Sequence, residues 1–271
     1  ACLVGSEMCI RDSTFTADEA IGTPVVTFAS GNGAIAGNRV TVSNLGDSNA
    51  ATWNASYAVA ATDTDGSVTY SISFSDLTGN AGVAVTSGSG SVTVDTDLPA
   101  MTTVTIASNN NTATLATTGQ TVTLAINADE DIAQPTVVFT SGGQAAGSVT
   151  YTNNNDNDAS TWTAAYTVAG SHTDGTVAFT LDFADLAGNS GAQVTAVTNG
   201  GGSVTVDQTA ITLSALTIVS DNANTALATT GDVVTLTINA TEDYTTAPTV
   251  VFTGATNADV VAVDDGDASL Y

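Results

Sequence analysis

Trp162-Thr163-Ala164-Ala165-Tyr166-Thr167-Val168, followed by Val177-Ala178-Phe179-Thr180-Leu181-Asp182-Phe183, decides the fold. Apolar residues alternate in both runs, so Trp162, Ala164, Tyr166 and Val168 share one face while Thr161, Thr163, Ala165 and Thr167 share the other. Period two is the mark of a half-buried strand. Asp174-Gly175 supplies a turn between the runs, and Gly188-Asn189 supplies another after them. The pattern spreads outward from there. Val104 and Ile106 alternate with threonine, as do Val122, Leu124 and Ile126. Pro135–Thr140, Ser148–Thr152 and a last strand within 191–207 bring the count to about seven. No segment has helical periodicity. About seven short alternating strands in a unit of this length predict an all-β, Ig-like β-sandwich.

The unit is repeated. Trp53 to Asn80 aligns without gaps on Trp162 to Asn189 at an offset of 109, with 14 of 28 positions identical. Thr103 to Asn127 aligns on Ala215 to Asn239 at an offset of 112, with 14 of 25 identical. The expected organisation is a tandem array of modules of about 110 residues, forming an extended array. Residues 100–211 make a complete module. Residues 14–99 lack the module's first strands, and 212–271 lack its C-terminal side, as in a piece cut at both ends.

Residues 1–13 stand outside this pattern. They have no basic start and no apolar run of a secretory signal's length. Leu3-Val4-Gly5-Ser6-Glu7-Met8-Cys9-Ile10-Arg11-Asp12-Ser13 resembles instead the translation of a transposase-type sequencing adapter. Setting the segment aside removes both cysteines, Cys2 and Cys9, and with them the question of a disulfide.

Charge excludes whole classes of function. The chain of 271 residues carries 27 acids against 2 basic residues, both arginine, a formal −25. Without Glu7, Arg11 and Asp12 the remainder holds 25 acids against Arg39, a net −24. Such a surface cannot neutralise phosphates, so nucleic acid is excluded as a partner. No apolar stretch approaches a membrane span, which excludes insertion by a helix. The acids are spread evenly, with eight in 14–99, nine in 100–211 and eight in 212–271. Even spacing points to repeated sites rather than an acidic tail. A long stretch with no Cys, no Lys and one Arg suits a secreted bacterial protein.

A resemblance enters on these residues. Trp-x-Ala-x-Tyr-x-Val, then Asp-Gly, then Phe-x-Asp-Leu-x-Gly-Asn, then Ser-Val-Thr-Val-Asp resembles the tandem Ig-like repeats of giant bacterial surface adhesins, the biofilm-associated and RTX-type among them. Ser108-Asn109-Asn110 through Leu115-Ala116-Thr117-Thr118-Gly119, echoed at 220–231, belongs to the same pattern. The resemblance implies a cell-surface extender that holds a ligand-binding tip away from the cell, rigidified by Ca²⁺. It departs at one linker: Asp95-Thr96-Asp97-Leu98-Pro99 has a proline that Asp207-Gln208-Thr209-Ala210 lacks, which questions the stiffness there.

Topology predicts where the carboxylates meet. In an up-and-down sandwich, Asp129-Glu130-Asp131, Asn153 to Asp158 and Asp185 to Asn189 fall at the N-terminal pole. The preceding module delivers Asp95 and Asp97 to that pole. The next junction joins Asp207 to Glu242 and Asp243. Clustered carboxylates raise one another's pKa or bind a cation. Oxygen ligands without His or Cys favour Ca²⁺. The candidate ligands are therefore Asp95, Asp97, Asp129, Glu130, Asp131, Asp185, Asp207, Glu242 and Asp243. None matches an EF-hand loop or a calcium β-roll nonapeptide. Asp65-Gly66 and Asp174-Gly175 read as plain turns, and Asp264-Asp265-Gly266-Asp267 as either a turn or a site. The arrangement requires the last strand to pass Gly200-Gly201-Gly202 by a bulge or sheet switch, because a hairpin would return the chain to the wrong pole.

Catalysis has no support in the sequence. His172 is the single histidine and aligns with Asp63 beside a turn, where it reads as solvated. No Ser-His-Asp, Cys-His or zinc set is present. Trp53, Tyr57, Trp162 and Tyr166 lie in register with core positions, so packing is expected over a sugar platform. The expected role is a non-enzymatic extender on the bacterial surface, whose partners are neighbouring repeats and, through regions beyond this piece, a surface glycan or protein. The alternatives are a glycan- or protein-binding module, or accessory domains of a large secreted hydrolase.

Overall fold

The computed structural model describes residues 10–46, 50–154, 159–198, 200–242 and 249–253, with only the backbone described for 10–13. Apart from one 3-10 turn at Gly37–Arg39, every element among them is a strand. The first module contains β1 (Ile10–Thr16), β2 (Val25–Ser30), β3 (Gly33–Ala34), β4 (Val40–Asn44), β5 (Thr52–Ala58), β6 (Gly66–Ser73) and β7 (Thr93–Val94). The second contains β8 (Met101–Ser108), β9 (Leu115–Ala116), β10 (Thr121–Ala128), β11 (Thr136–Ser141), β12 (Gln144–Ala145), β13 (Thr150–Asn153), β14 (Thr161–Thr167), β15 (Gly175–Asp182) and β16 (Thr205–Val206). After it come β17 (Leu213–Ser220) and β18 (Val234–Ala240).

The second module is a closed sandwich. One sheet runs β13-β14-β10-β8 and the other β12-β11-β15-β16-β9. The first module repeats this as β4-β5-β1 and β3-β2-β6-β7. Alternation turns Val104, Ile106, Val122, Leu124 and Ile126 from one sheet, and Val137, Phe139, Val177, Phe179 and Leu181 from the other, into one apolar core. Each is at most 6% exposed. Two sheets joined face to face with this strand order are an Ig-like β-sandwich.

The aromatics pack as their register requires. Trp53, Tyr57 and Tyr166 are buried, and Trp162 packs against the second core. Each indole N–H is satisfied by the loop before its strand: Trp53 donates to Ala50 O (2.9 Å) and Trp162 to Ala159 O (2.7 Å).

The last strand resolves the glycine question. It lies antiparallel to β15, meeting Leu181 at Val194 and Gly175 at Val206. Between these points it makes an excursion to the other sheet, where Thr198 N–H donates to Val104 O and Ile106 N–H to Gly201 O. Gly200 and Gly202 take φ of +74° and +87° to allow this. It is a sheet switch, not a hairpin. The chain leaves at the pole opposite Asp185, as an extended array requires.

β1 includes Ile10–Ser13, which pair with Ala58–Ala55. The register places Arg11 and Ser13 opposite Tyr57 and Ala55, where the second module has Val122 and Leu124 opposite Tyr166 and Ala164. At these register positions the two copies share an apolar residue from Phe15, which lies opposite Trp53 as Ile126 lies opposite Trp162.

Candidate functional site at the module junction

Three loops build the junction. β7 ends on the buried Val94 and hands the chain to Asp95. The turn after β10 carries Asp129, Glu130 and Asp131, and the turn after β15 carries Asp185. One carboxylate oxygen from each of Asp95, Glu130 and Asp185 lies within 4.8 Å of the others. The first belongs to one module and the other two to the next.

Asp185 is fixed before anything binds. It is 3% exposed. Its Oδ1 accepts the N–H of Gly188 (2.6 Å) and of Asn189 (2.8 Å), and its Oδ2 accepts Asn189 Nδ2 (2.6 Å). The same Asn189 amide donates across the junction to Asp95 O (3.1 Å). The first module repeats the Asp185 turn at Asp76, where Asn80 and Thr78 hold the carboxyl down at about 2.

The electrostatics follow from crowding. Burial first, and then the charge of Asp185, push the Asp95 carboxyl above its ordinary value. Burial, then Asp95 and Asp185, do the same to Glu130. Among the described side chains the one basic group, Arg39, is taken up by Asp63, with Nη1 2.5 Å from Oδ1 and Nη2 2.7 Å from Oδ2. An open cleft of about 560 Å³ adjoins the cluster, with Asp65, Asp95, Asp97, Asp129 and Glu130 among its walls. Oxygens around a Ca²⁺ at about 2.4 Å lie within roughly 4.8 Å of one another, and three carboxylates offer three to six of its 6–8 ligands. The donor set fits a hard divalent cation.

The other candidate residues take different places. Asp129 Oδ1 accepts Ala100 N–H (2.8 Å), fixing the start of β8. Asp131 Oδ1 accepts Ala159 N–H (2.8 Å), which turns it toward its own module's loop and away from the cluster. Asp97 is exposed on the cleft wall. Asp207 Oδ1 accepts Thr209 N–H within its own linker. Glu242 is half-buried, and among the described residues no second trio of carboxylates forms around it and Asp207. Asp243, Asp156, Asp158 and the Asp264–Asp267 run lie outside the described residues. His172 Nδ1 accepts Ala169 N–H (3.2 Å), and its ring sits 5.7 Å from that of Tyr166.

Two aspartates read as plain turns do more. Asp65 Oδ1 accepts both the N–H and the Oγ1–H of linker residue Thr96, each at 2.9 Å. Asp174 accepts Gln208 N–H (2.8 Å) and Thr209 Oγ1–H (2.6 Å) in the next linker. Each turn needs its glycine: Gly66 has φ +131° and Gly175 +139°. A side chain on Gly31 would meet Asp65 O at 1.8 Å, so the facing turn must be glycine too. The sequence signal was the alignment of Asp65-Gly66 with Asp174-Gly175 across copies.

No family model matches the chain, and no curated protein matches it. Among solved structures it is similar to the titin domains z1z2 in complex with telethonin, at 14% identity and a TM-score of 0.24 over 75% of this chain and 89% of that one. It is similar also to titin Ig tandem domains A164-A165, at 11% identity and a TM-score of 0.22 over 74% of this chain and 100% of that one. The strand order of the sheets is what makes the modules Ig-like.

Proposed function

We propose that the chain is a structural extender segment of a bacterial surface adhesin, secreted or anchored, working in cell adhesion and biofilm. Its modules are stiffened by Ca²⁺ at the junctions. The observation that carries this reading is the convergence of Asp95 from one module with Glu130 and Asp185 from the next. Asp95 and Glu130 supply half-buried oxygens, Asp185 a buried and hydrogen-bonded one, and the ion neutralises charges that otherwise repel across the joint. Binding then couples two folded units without changing either. The role is mechanical, so no catalytic residue is assigned.

The rival reading, a glycan-binding module, calls for an exposed aromatic beside a groove. Trp53, Tyr57 and Tyr166 are buried in sandwich cores instead.

The test is thermal unfolding and small-angle scattering in EDTA, then in Ca²⁺, with Mg²⁺ as control. A Kd of ~10⁻⁴–10⁻³ M is usual for extracellular modules. At about 10 mM Ca²⁺ such a Kd stabilises by roughly 1.4–2.7 kcal/mol. The expected result is a higher midpoint and a longer, narrower distance distribution in Ca²⁺, both lost in Glu130→Gln. Identical curves in EDTA and Ca²⁺ would end the calcium reading.

A further inference from the structure

We propose that the angle between modules is set by a pair of side-chain clips, one on each side of the linker, that act without any cation. At the first junction Asp65 holds the N–H of Thr96, and Asp129 holds the N–H of Ala100. At the second, Asp174 holds the N–H of Gln208, and Thr241 Oγ1 accepts the N–H of Thr212 (3.1 Å). Thr241 stands where the other copy has Asp129, and the backbone bond beside it is kept as well: Asp129 N–H to Ala100 O, and Thr241 N–H to Thr212 O. The same joint is thus built twice, by a carboxylate in one place and a hydroxyl in the other. An acceptor oxygen is needed there, and a charge is not.

The clips shorten what can move. β7 ends at Val94 and β8 begins at Met101, leaving Asp95–Ala100 between strands. With Thr96 and Ala100 held, only residues 97–99 are unclipped. The second linker runs from Asp207 to Thr212, and its clips, which hold Thr209 as well as Gln208, leave 210–211. Pro99 has no counterpart there, yet the linker is held by additional bonds: Gln208 Nε2 donates to His172 O (2.6 Å), and Thr118 Oγ1 donates to Gln208 Oε1 (2.5 Å). Side-chain bonds replace the restriction that proline supplies in the first linker.

The second junction gives the clean test, because neither clip residue belongs to the Asp95–Glu130–Asp185 trio. In a Cys2→Ser, Cys9→Ser background, spin labels at Ala178→Cys and Thr217→Cys read the inter-module distance in EDTA. Unsubstituted clips give a narrow distribution. Asp174→Ala with Gln208→Ala and Thr241→Val doubles the free segment from two residues (210–211) to four (208–211), since the backbone bonds of Asp207 N–H to Ala116 O and Thr241 N–H to Thr212 O remain. Because excursions scale as the square root of length, the distribution broadens about 1.4-fold. Asp174→Asn, which keeps an acceptor oxygen, retains the narrow width. With Trp53→Phe added to the background, Trp162 fluorescence monitors the fold of the second module in every variant. An unchanged width in the triple variant overturns the proposal, and so does loss of the second module's fold, which would make these residues props of the module rather than of the joint. Absence of a Ca²⁺ effect at the first junction would sink the calcium reading and leave this result in EDTA untouched.

Discussion

Leu124 and Leu236 hold the same position in aligned copies of the repeat, yet the structure gives them different energies. Leu124 is 0% exposed, packed between two sheets. Leu236 is half-buried on the β17–β18 pair, where Leu216 and Ile218 on the same face are 56% and 60% exposed. Truncating a buried leucine to alanine removes its transfer energy and leaves a cavity, for about 3–5 kcal/mol. At Leu236 solvent already reaches the site and no cavity forms, so the loss is part of the transfer term, about 1 kcal/mol. The tryptophans make the assay selective. Trp53→Phe leaves Trp162 as the sole indole, in the second module. With a urea m-value near ~2 kcal/mol/M, Leu124→Ala should move the Trp162 midpoint down by roughly 1.5–2.5 M. Leu236→Ala should leave that midpoint in place and shift the calorimetric trace only slightly. A cost below about 1 kcal/mol for Leu124→Ala would refute the closed sandwich, since no fully buried leucine in a two-sheet core is that cheap to lose. An equal shift of the Trp162 transition by Leu236→Ala would refute the separation of the two units.

Two further outcomes are expected. Asp95 and Glu130 have folded pKa values raised above the unfolded ones, so the folded junction binds protons first as pH falls. In EDTA their contribution is therefore repulsive at neutral pH, is relieved as pH falls through the raised values, and changes no further below the ordinary carboxylate range, where the unfolded chain is protonated too. Ca²⁺ stabilisation runs the other way, shrinking over the same fall. Unfolding curves of the parent and Glu130→Gln between pH 7 and 4 check this, and identical pH slopes for the two proteins would contradict it. The second outcome concerns the Arg39–Asp63 pair, which the register of β4 and β13 aligns with Ser148 and His172. In a Trp162→Phe background, Arg39→Ser should lower the first module's Trp53-detected midpoint, because Asp63 loses a bidentate partner. Adding Asp63→His, which installs the second module's combination, should recover much of the loss; no recovery would show that the two pairs are not equivalent solutions.

What the sequence disclosed depended on whether the interaction was local. Alternation from Trp162 to Val168 needs only one strand and one buried face, and it placed the cores correctly. The junction trio was also within reach, because up-and-down topology fixes which loops share a pole. Choosing Glu130 over its neighbour Asp131 was not. That choice depends on Ala159 N–H, 28 residues away, which draws Asp131 toward its own loop. Asp65 looked like a turn because Gly66 accounts for the turn by itself; its carboxylate meets Thr96, 31 residues on. The excursion around Thr198 and Gly201 had no period to read, since its backbone bonds go to β8 rather than to one sheet neighbour. The sharpest case is a string that occurs twice. Thr136-Val137-Val138-Phe139-Thr140 is β11, paired with β15 and carrying the fully buried Phe139. Thr249-Val250-Val251-Phe252-Thr253 is the same five residues, and it is not a strand; Val251 is 71% exposed. Among the described residues it has no counterpart of β15 to bond. A β-strand is a property of a pair, so identical residues give different structure where the partner differs, and a sequence window one strand wide cannot see that difference.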